Sequence, residues 1–513
     1  MEGQVLTKPP VESARARRPA GGRWRLPDWH GLLYREFLLA VLGSFVLAAI
    51  SAAVLPTVAS YDPWAWISWG REVVDPHLSF AISGGPSWKP LPVMFTTVWA
   101  LFGSTAAPTL WVITARAGGI LGMVAAYLLA SRLVSRQARA PRWAAVAAGL
   151  IAAVGIVVTQ DYWDEWFRGT SEPMEIATAL WAVLAFLDGR PGWAFVFGVA
   201  TSQLRPEAWP LVILYALWLW WKEPRLRVLV VLGLISIPVF WFVPPWVGSG
   251  QPFLAAIHAE EYNGGLGPHP FWGVLGRGVD IQLLPVLIAG GVAVAFAWFD
   301  KPRDWLTLSL AGGTVVWWVI VVGMTLDGYP GLERFYLPAA GMTCVLAGYG
   351  IVRLALLGAD GVRRLGVSAV TPVAIGLTAV LVAILVPFTW GRISQASAEE
   401  KIASQAVSHL NQMTEAVKAV GGHAGVFPCK SSFAAVNHSV QTALAYKLHV
   451  TLGRVGTSMR HQGVMFVGPH DSIDGIAPPI DPRLTQRQLI AQVGIWKMYR
   501  MTAPDSNYSC VGR

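Results

Sequence analysis

Long apolar stretches recur along this chain and constrain its fold more than any other feature of the sequence. Between Phe37 and Phe388 they are about 18 to 22 residues long, and a helix of that length crosses the ~30 Å hydrocarbon core of a bilayer. A membrane-spanning strand would need fewer residues. Hydrophobic residues make up 54% of the 513 positions and charged residues 13%, against about 25% charged in soluble domains. The sequence therefore predicts an α-helical polytopic protein of the plasma membrane.

Clusters of basic residues between these stretches account for the net charge of +9. Arg15, Arg17, Arg18, Arg23 and Arg25 precede the first stretch. By the positive-inside rule such clusters mark cytoplasmic turns, so residues 1–36 are predicted to be a cytoplasmic tail, and no nucleic-acid partner is predicted. About 36 polar residues ahead of the first stretch also argue against a cleavable signal peptide. The predicted spans are 37–56, 109–131, 143–159, 173–188, 226–243, 281–299, 306–326, 336–357 and 370–389.

One interval between two cytoplasmic turns is too short for two full crossings. It runs from "DGRPG" (188–192) to "KEPR" (222–225) and has "SQLRPEAWP" at its midpoint. We predict a short or re-entrant hairpin with Arg205 and Glu207 at membrane depth, which brings the total to about eleven membrane segments. Non-helical backbone at that depth is tolerated only when it is buried in protein or lines a wet cavity, so a cavity is expected.

The topology places four loops on the outer side of the membrane: 57–108, 160–172, 244–280 and 327–335. Within the first, residues 89–103 are apolar but short, which is typical of a segment lying along the interface. A transmembrane domain (37–390) is then followed by residues 391–513, a predicted extracytoplasmic α/β domain. Its pattern gives a helix (397–420), a glycine break, a second helix (437–449) and strands at "GVFPC", "VMFVGP" and "IWKMYRM".

The three cysteines divide between these two regions. Cys344 lies within an apolar stretch, and Cys429 and Cys510 lie in the C-terminal one. A disulfide between the last two is plausible if that region is outside the cytoplasm, although spacing alone does not establish it.

"SYDPWAWISWG" (60–70) follows directly on the first span and allows two interpretations. Asp62 before Pro63 is a common helix start, with Asp as the N-cap, and its three tryptophans favour the membrane interface. Alternatively, Asp62 is a general base that takes a proton from an acceptor hydroxyl.

Two other outer loops are rich in polar residues. "QDYWDEWFRG" (160–169) holds Asp161, Asp164 and Glu165, either as a solvated acidic loop, as second carboxylates near a site, or as ligands of a divalent cation, for which the sequence signal is weak. The loop with His258, Glu261 and His269 has too few close histidines for metal ligation, and we interpret it as a mobile, glycine-rich substrate loop. No cofactor is predicted.

Cationic side chains suggest an anion site. An arginine at hairpin depth needs an anionic partner, which for Arg205 is either Glu207 or a bound phosphate. Arg334 and Arg116 add to such a site, or else have a snorkelling role at a helix end. Lys89, in the first outer loop, is a further candidate for binding phosphate.

These features together resemble the C-type (GT-C) membrane glycosyltransferases. "RGTSEPMEIATALWAV" followed by "SQLRPEAWP" is similar to elements of actinobacterial members, which include arabinofuranosyl- and mannosyltransferases, and "ERFYLPA" is similar to an Arg-Tyr-Leu-Leu-Pro element of the superfamily. The resemblance covers 37–390 by architecture and about 60 residues by motif. It implies that Asp62 is the catalytic base, although many members have an acidic pair where "YDPW" has one carboxylate. It also implies a polyprenyl-phosphate-linked sugar as donor.

The leading hypothesis is therefore an inverting transferase that adds a sugar to a glycan, lipid or protein acceptor during cell-wall biogenesis. Positive charge from Arg205, Arg334, Arg116 or Lys89 would stabilise the departing phosphate. A lipid-linked saccharide carrier, similar to a flippase, would use the same cations without chemistry. A third alternative is a non-catalytic envelope protein whose outer domain senses a ligand.

Overall fold

The computed structural model describes residues 34–82, 84–137, 140–261, 265–365, 369–470 and 475–504. Two compact units divide the chain, Met1–Leu39 and Ala40–Arg513. The described part of the smaller unit contains the start of the first helix. The larger unit contains all the remaining elements.

The chain is mostly helical. Its helices are α1 (Arg35–Val54), α2 (Tyr61–Val74), α3 (Pro90–Ala100), α4 (Ala106–Ser135), α5 (Arg142–Val157), α6 (Tyr162–Phe167), α7 (Glu172–Leu187), α8 (Pro191–Ser202), α9 (Trp209–Lys222), α10 (Arg227–Ser249), α11 (Leu254–Glu260), α12 (Pro270–Asp280), α13 (Leu284–Phe299), α14 (Trp305–Leu326), α15 (Leu337–Arg364), α16 (Val370–Ala419), α17 (Gly422–Val426) and α18 (Gln441–Lys447). Short 3-10 helices lie at Pro206–Ala208, Pro224–Leu226, Glu333–Tyr336, His438–Val440 and Leu452–Arg454.

Several of these helices can cross a membrane, and the protein is an integral membrane protein. Among the described residues, six are long and apolar enough by length and composition: α1, α4, α10, α14, α15 and α16. Helices α12 and α13, bent by 87° at their junction, make a seventh if they form one span. The spans predicted at 143–159 and 173–188 are the shorter helices α5 and α7, of 16 residues each. The expected total of about eleven membrane segments is thus supported only in part.

The predicted hairpin is present as two short helices. Helix α8 has 12 residues and α9 has 14, and both are shorter than the roughly 20 residues of a full crossing. Arg205 lies in extended backbone between them, just before the 3-10 helix Pro206–Ala208. The break therefore falls where the sequence predicted it.

Helix α15 is the central helix of the bundle and packs against α4, α5, α13 and α14. Small residues allow the close approach, as is usual between membrane helices. A Cβ added to Gly348 would lie 2.3 Å from the carbonyl oxygen of Ala148 in α5, and one added to Gly350 would lie 2.2 Å from that of Ala289 in α13. Larger side chains at either glycine would force the helices apart.

The C-terminal segment, defined here as residues 391–504, is an α/β structure as predicted. Its five strands are β1 (Phe433–Ala435), β2 (Val455–Gly456), β3 (Gly463–Val467), β4 (Gln486–Val493) and β5 (Trp496–Thr502), in the order β2-β1-β3-β5-β4. Strand β1 is parallel to β2 and β3, and β5 is antiparallel to β3 and β4. The structure leaves the predicted division between domains at residue 390 untested.

Two details of that segment differ from prediction. The last predicted span and the helix after it are one continuous helix, α16, of 50 residues. The predicted strand "GVFPC" is wrong, because Gly422–Val426 is the helical turn α17. Gly421 before it has a φ of 86°, which starts a new turn instead of an extended strand.

Candidate active site

A cavity of about 720 Å³ opens at the end of the bundle to which the C-terminal segment is attached. All four loops that the sequence assigned to one side of the membrane contribute to it, together with the hairpin break. Its lining includes Tyr61, Asp62, Lys89, Asp161, Asp164, Glu165, Arg168, Arg205, His258, Glu261, Tyr329, Glu333, Arg334, Phe335, His438, Gln441 and Thr457. The topology deduced from the basic clusters thus brings these distant segments together.

Glu172 is the centre of the charge network beside the cavity. Its Oε1 lies 2.8 Å from Lys89 Nζ, 3.1 Å from Arg205 Nη2 and 3.8 Å from Arg334 Nε. This arrangement places three cations around one buried carboxylate, where a bound anion could contact more than one of them.

Each member of this cluster lies at the end of a helix or at a break. Glu172 is the first residue of α7, before Pro173, and Lys89 precedes α3, which starts at Pro90. Arg334 lies in the 3-10 helix before α15. Proline at the first helical turn fixes where a helix begins, so the local sequence sets the positions of these side chains.

Arg205 is held on several sides by protein groups. Besides Glu172, its guanidinium lies 3.5 Å from Glu175 and 3.7 Å from Glu207, and it stacks 4.0 Å from the Phe335 ring centroid. The predicted partner Glu207 is therefore present, but Glu172 is closer. Because the Arg205 side chain is 4% exposed and that of Arg334 is 29% exposed, Arg334 is the more accessible of the two.

Asp62 does not have the capping role that its sequence suggested. The N-cap of α2 is Ser60, and Asp62 lies in the first turn of the helix. Its Oδ2 is 3.7 Å from Nη2 of Arg334, and the carboxylate lines the cavity. Asp62 therefore faces the cation cluster.

The tryptophans after Asp62 do not form an interfacial belt either. Trp66 and Trp69 are fully buried and Trp64 is 8% exposed. Trp66 packs edge-on against Trp111 of α4, with ring centroids 5.6 Å apart, and the Thr96 hydroxyl of α3 donates to its carbonyl oxygen. These side chains form a core that holds α2, α3 and α4 together, and α3 packs on α2 instead of lying free along the interface.

The acidic loop lies at the cavity. Oε1 of Glu165 is 3.8 Å from Nη1 of Arg334. Burial, followed by the neighbouring Glu172 carboxylate, raises the pKa of Glu165 to about 7. Asp164 forms an ion pair with Arg168, and Asp161 is the N-cap residue of α6. Among the described residues, no group of three or more His, Cys, Asp or Glu side chains is placed to hold a metal ion.

Two predicted site residues lie elsewhere. Arg116 does not line the cavity, is fully buried, and donates to the Ser51 hydroxyl and the Pro56 carbonyl while stacking over Trp166. We therefore leave Arg116 out of the anion site. His269 is the exposed N-cap residue of α12 and is also outside the cavity.

The other residues of the third loop are at the cavity. His258 and Glu261 line it, and His258 Nδ1 is 3.3 Å from the Pro86 carbonyl oxygen. Cys510 is outside the described residues, so its disulfide with Cys429 stays a prediction. Cys344 is buried.

Sequence reasoning missed Glu172, and it missed the contribution of the C-terminal segment. Glu172 belongs to the segment "RGTSEPMEIATALWAV". Its position at a helix start beside Pro173 was the one feature that could have indicated a site residue. Nothing local marked His438, Gln441 and Thr457 as cavity residues, because they reach it only through the folding of the C-terminal segment.

The helical bundle that carries this cavity and its clustered cations has a fold that is shared with solved structures. One solved structure of that fold is ArnT from Cupriavidus metallidurans bound to undecaprenyl phosphate. It aligns with a TM-score of 0.52 at 12% identity, over 92% of this chain and 97% of that chain. ArnT in the apo state aligns with a TM-score of 0.49 at the same identity and coverage.

At 12% identity this likeness shows the fold alone. It supports the expected polytopic helical architecture and does not test the similarity to actinobacterial members. No protein-family model matches the chain, and no curated protein matches it significantly.

Proposed function

We propose that this protein is an inverting glycosyltransferase that moves a sugar from a polyprenyl-phosphate donor to a cell-envelope acceptor. The observation that carries the proposal is the 3.7 Å approach of Asp62 to Arg334, which places a carboxylate next to a cluster of cations in one cavity. In a displacement at a sugar carbon, a general base must lie on one side of that carbon and an anion site on the other. The adjacent carboxylate and cations fit this requirement.

The reaction is a single displacement. The acceptor oxygen forms a bond to the anomeric carbon while the bond from that carbon to the phosphate oxygen breaks. Asp62 takes the proton of the acceptor hydroxyl, and the polyprenyl phosphate leaves with the bonding electron pair. Attack opposite the leaving group inverts the anomeric carbon.

Lys89, Arg205 and Arg334 are the proposed partners of the phosphate. Charge builds up on the phosphate as the bond breaks, and preorganised cations in a site with little water stabilise that charge more than they stabilise the ground state. Glu172 orients the three cations through its short contacts, so little rearrangement is needed when the donor binds. Of the two arginines, Arg334 has the more exposed side chain, and it would contact the phosphate more directly.

An apolar groove of about 370 Å³ supports a lipid-linked donor. Helices α7, α8, α9, α14 and α15 line it, and its lining includes Thr201, Ala208, Pro338 and Ala339. The Arg205 backbone N–H donates to the Thr201 carbonyl at 2.9 Å and the Arg205 carbonyl accepts from Ala208 N–H at 3.4 Å, so this part of the groove lies close to the cation cluster. A polyprenyl chain in the groove would put its phosphate at that end, and the ArnT structure of the same fold holds undecaprenyl phosphate.

The proposed sidedness puts this cavity and the C-terminal segment on the outer face of the membrane, with the N-terminus in the cytoplasm. Its support is the placement of the basic clusters at the opposite helix ends. For the sugar, the motif resemblance to arabinofuranosyl- and mannosyltransferases favours a pentose or a hexose. The acceptor would be a glycan, a lipid or a protein of the envelope.

A transfer assay tests this function. Purified full-length protein in lipid nanodiscs would receive radiolabelled polyprenyl-phosphate sugars extracted from the source organism, together with envelope from a strain that lacks this chain. The expected result is label in the envelope fraction and release of polyprenyl phosphate. A carrier would move the labelled lipid across a vesicle membrane and leave the sugar–phosphate bond intact, and that outcome would contradict the proposal.

A further inference from the structure

Part of the cavity wall comes from the C-terminal segment. His438 lies at the start of the 3-10 helix His438–Val440, Gln441 at the start of α18, and Thr457 directly after β2. All three side chains line the same cavity as Asp62. We call these three residues the C-terminal face of the cavity.

This face holds the residue that precedes Asp62. The Tyr61 hydroxyl donates to Gln441 Oε1 over 3.1 Å, and the Tyr61 carbonyl oxygen accepts from the Thr442 hydroxyl at 2.8 Å. The Tyr61 and His438 rings lie with centroids 4.0 Å apart and planes inclined by 30°. Three contacts on one residue fix the start of α2, and thereby Asp62, against the C-terminal segment.

The three polar side chains of the face differ in whether their hydrogen-bonding groups are free to bind a ligand. Gln441 is buried and satisfied, since it accepts from Tyr61 and donates to the Val455 carbonyl. The half-buried His438 ring nitrogens and Thr457 hydroxyl have no hydrogen-bond partner among the residues that the structure describes. These two side chains are therefore available to a molecule in the cavity.

A succession of contacts leads from the cations through Asp62 to this face. Contacts run from Arg205 through Glu172 to Arg334, from Arg334 to Asp62, and then from the neighbouring Tyr61 to His438 and Gln441. In a displacement, the attacking oxygen approaches opposite the leaving group. If the phosphate lies at the cations, the molecule bearing the attacking hydroxyl lies beyond Asp62.

We propose that the C-terminal face binds a saccharide acceptor, with His438 and Thr457 contacting its hydroxyl groups. The inference rests on the proposed function and adds the acceptor class and two residues that select it. A wall that offers the imidazole of His438 and the hydroxyl of Thr457 suits sugar hydroxyls, which need many hydrogen-bond partners, better than it suits an acyl chain.

The test measures acceptor and donor binding separately in full-length His438→Ala and Thr457→Val. Envelope from the strain lacking this chain, separated into glycan, lipid and protein fractions, serves as acceptor in the nanodisc transfer assay. Loss of one or two hydrogen bonds should raise the half-saturating concentration of the glycan fraction about tenfold in His438→Ala and several-fold in Thr457→Val. The dissociation constant for undecaprenyl phosphate should stay within twofold of the wild-type value in both variants.

His461→Ala is the matched control, because His461 packs edge-on against Phe433 in the same segment, with ring centroids 5.5 Å apart, and does not line the cavity. Both binding constants should be unchanged in it. Normal glycan saturation in both test variants would overturn the inference, as would a parallel weakening of undecaprenyl phosphate binding or transfer into the lipid or protein fraction. A wild-type protein that transfers no label to any fraction would instead contradict the proposed function itself.

Discussion

Asp62 and Arg334 approach each other to 3.7 Å in the cavity although they lie 272 positions apart in the sequence. Arg334 also lies 3.8 Å from both Glu165 and Glu172. It therefore links the proposed catalytic base to the carboxylate that organises the other two cations. A phosphate bound at Arg334 would lie beside Asp62.

Replacing Arg334 should weaken donor binding. Arg334→Gln removes a charge-assisted contact worth about 1.5–3 kcal/mol, so the dissociation constant for undecaprenyl phosphate should rise by roughly 10- to 100-fold. Binding to protein in nanodiscs measures this directly. Arg353→Gln is the control, because Arg353 forms an ion pair with Asp300 at 3.0 Å and does not line the cavity; an equal loss in both variants would contradict the assignment.

Arg205 is less suited to this test. Its removal would leave Glu172, Glu175 and Glu207 buried with less compensating charge, and breaking a buried ion pair costs about 3–5 kcal/mol of stability. Weak donor binding by an Arg205 variant would therefore be difficult to separate from a damaged fold.

Glu165 should make stability depend on pH. Its folded pKa of about 7 is above the ordinary value of 4.5, so the folded protein holds an additional proton between these values and stability falls as the pH rises through this range. The difference corresponds to about 3 kcal/mol. Glu165→Gln removes this loss, and its melting temperature should exceed that of the wild type at pH 8 but not at pH 4.5.

The exposed Glu415, which pairs with Lys418, gives the control for this measurement. Glu415→Gln should follow the wild-type melting temperature at every pH. An equal change in melting temperature at pH 4.5 and pH 8 in Glu165→Gln would show that the carboxyl does not titrate in this range.

Filling the apolar groove should weaken binding of a lipid phosphate. Gly313 lines the groove, and a Cβ added there has no atom within 4 Å, so Gly313→Leu would occupy groove space without a clash. We expect the affinity for undecaprenyl phosphate to fall about tenfold, since a blocked apolar contact of this size costs of the order of 1–2 kcal/mol.

The adjacent Gly312 provides a matched variant. It has the same free space but does not line the groove, so Gly312→Leu should bind undecaprenyl phosphate normally. Equal affinity in the two leucine variants would argue that the lipid chain lies elsewhere.

Cysteine labelling in intact cells should report the sidedness. Leu489 of β4 is 52% exposed and Leu365, after α15, is 84% exposed. A membrane-impermeant maleimide should label Leu489→Cys in intact cells and Leu365→Cys only after permeabilisation, relative to the wild-type background. The reverse pattern would place the C-terminal segment in the cytoplasm.

The sequence predicted most of the bundle because membrane physics leaves few alternatives. Apolar length locates a helix, and basic residues orient it, so the four loops around the cavity were assigned to one side in advance. The C-terminal segment is less regular. Its edge strand β4 is largely exposed and carries no clear alternation, whereas "GVFPC" has the composition of a strand but forms a turn after Gly421.

Individual site residues were harder to predict than the loops that hold them. Asp62, Lys89, Arg205 and Arg334 could be proposed in advance because charge near a membrane is costly and conspicuous, and the fold brings these four side chains together. Glu172 was missed because its importance comes from three partners on separate segments, and only the fold brings them together. Arg116 was proposed from its charge alone, and the fold places it against Ser51 and Pro56, outside the lining of the cavity.

The most direct test of this account is transfer by Asp62→Asn, measured beside binding of undecaprenyl phosphate. Removing a general base typically costs 10²- to 10⁴-fold in rate, so transfer in nanodiscs should fall by at least about 100-fold while the dissociation constant stays within a few fold. Asp75→Asn, at the other end of α2 and paired with His449, should transfer normally. Wild-type transfer by Asp62→Asn would contradict the central claim.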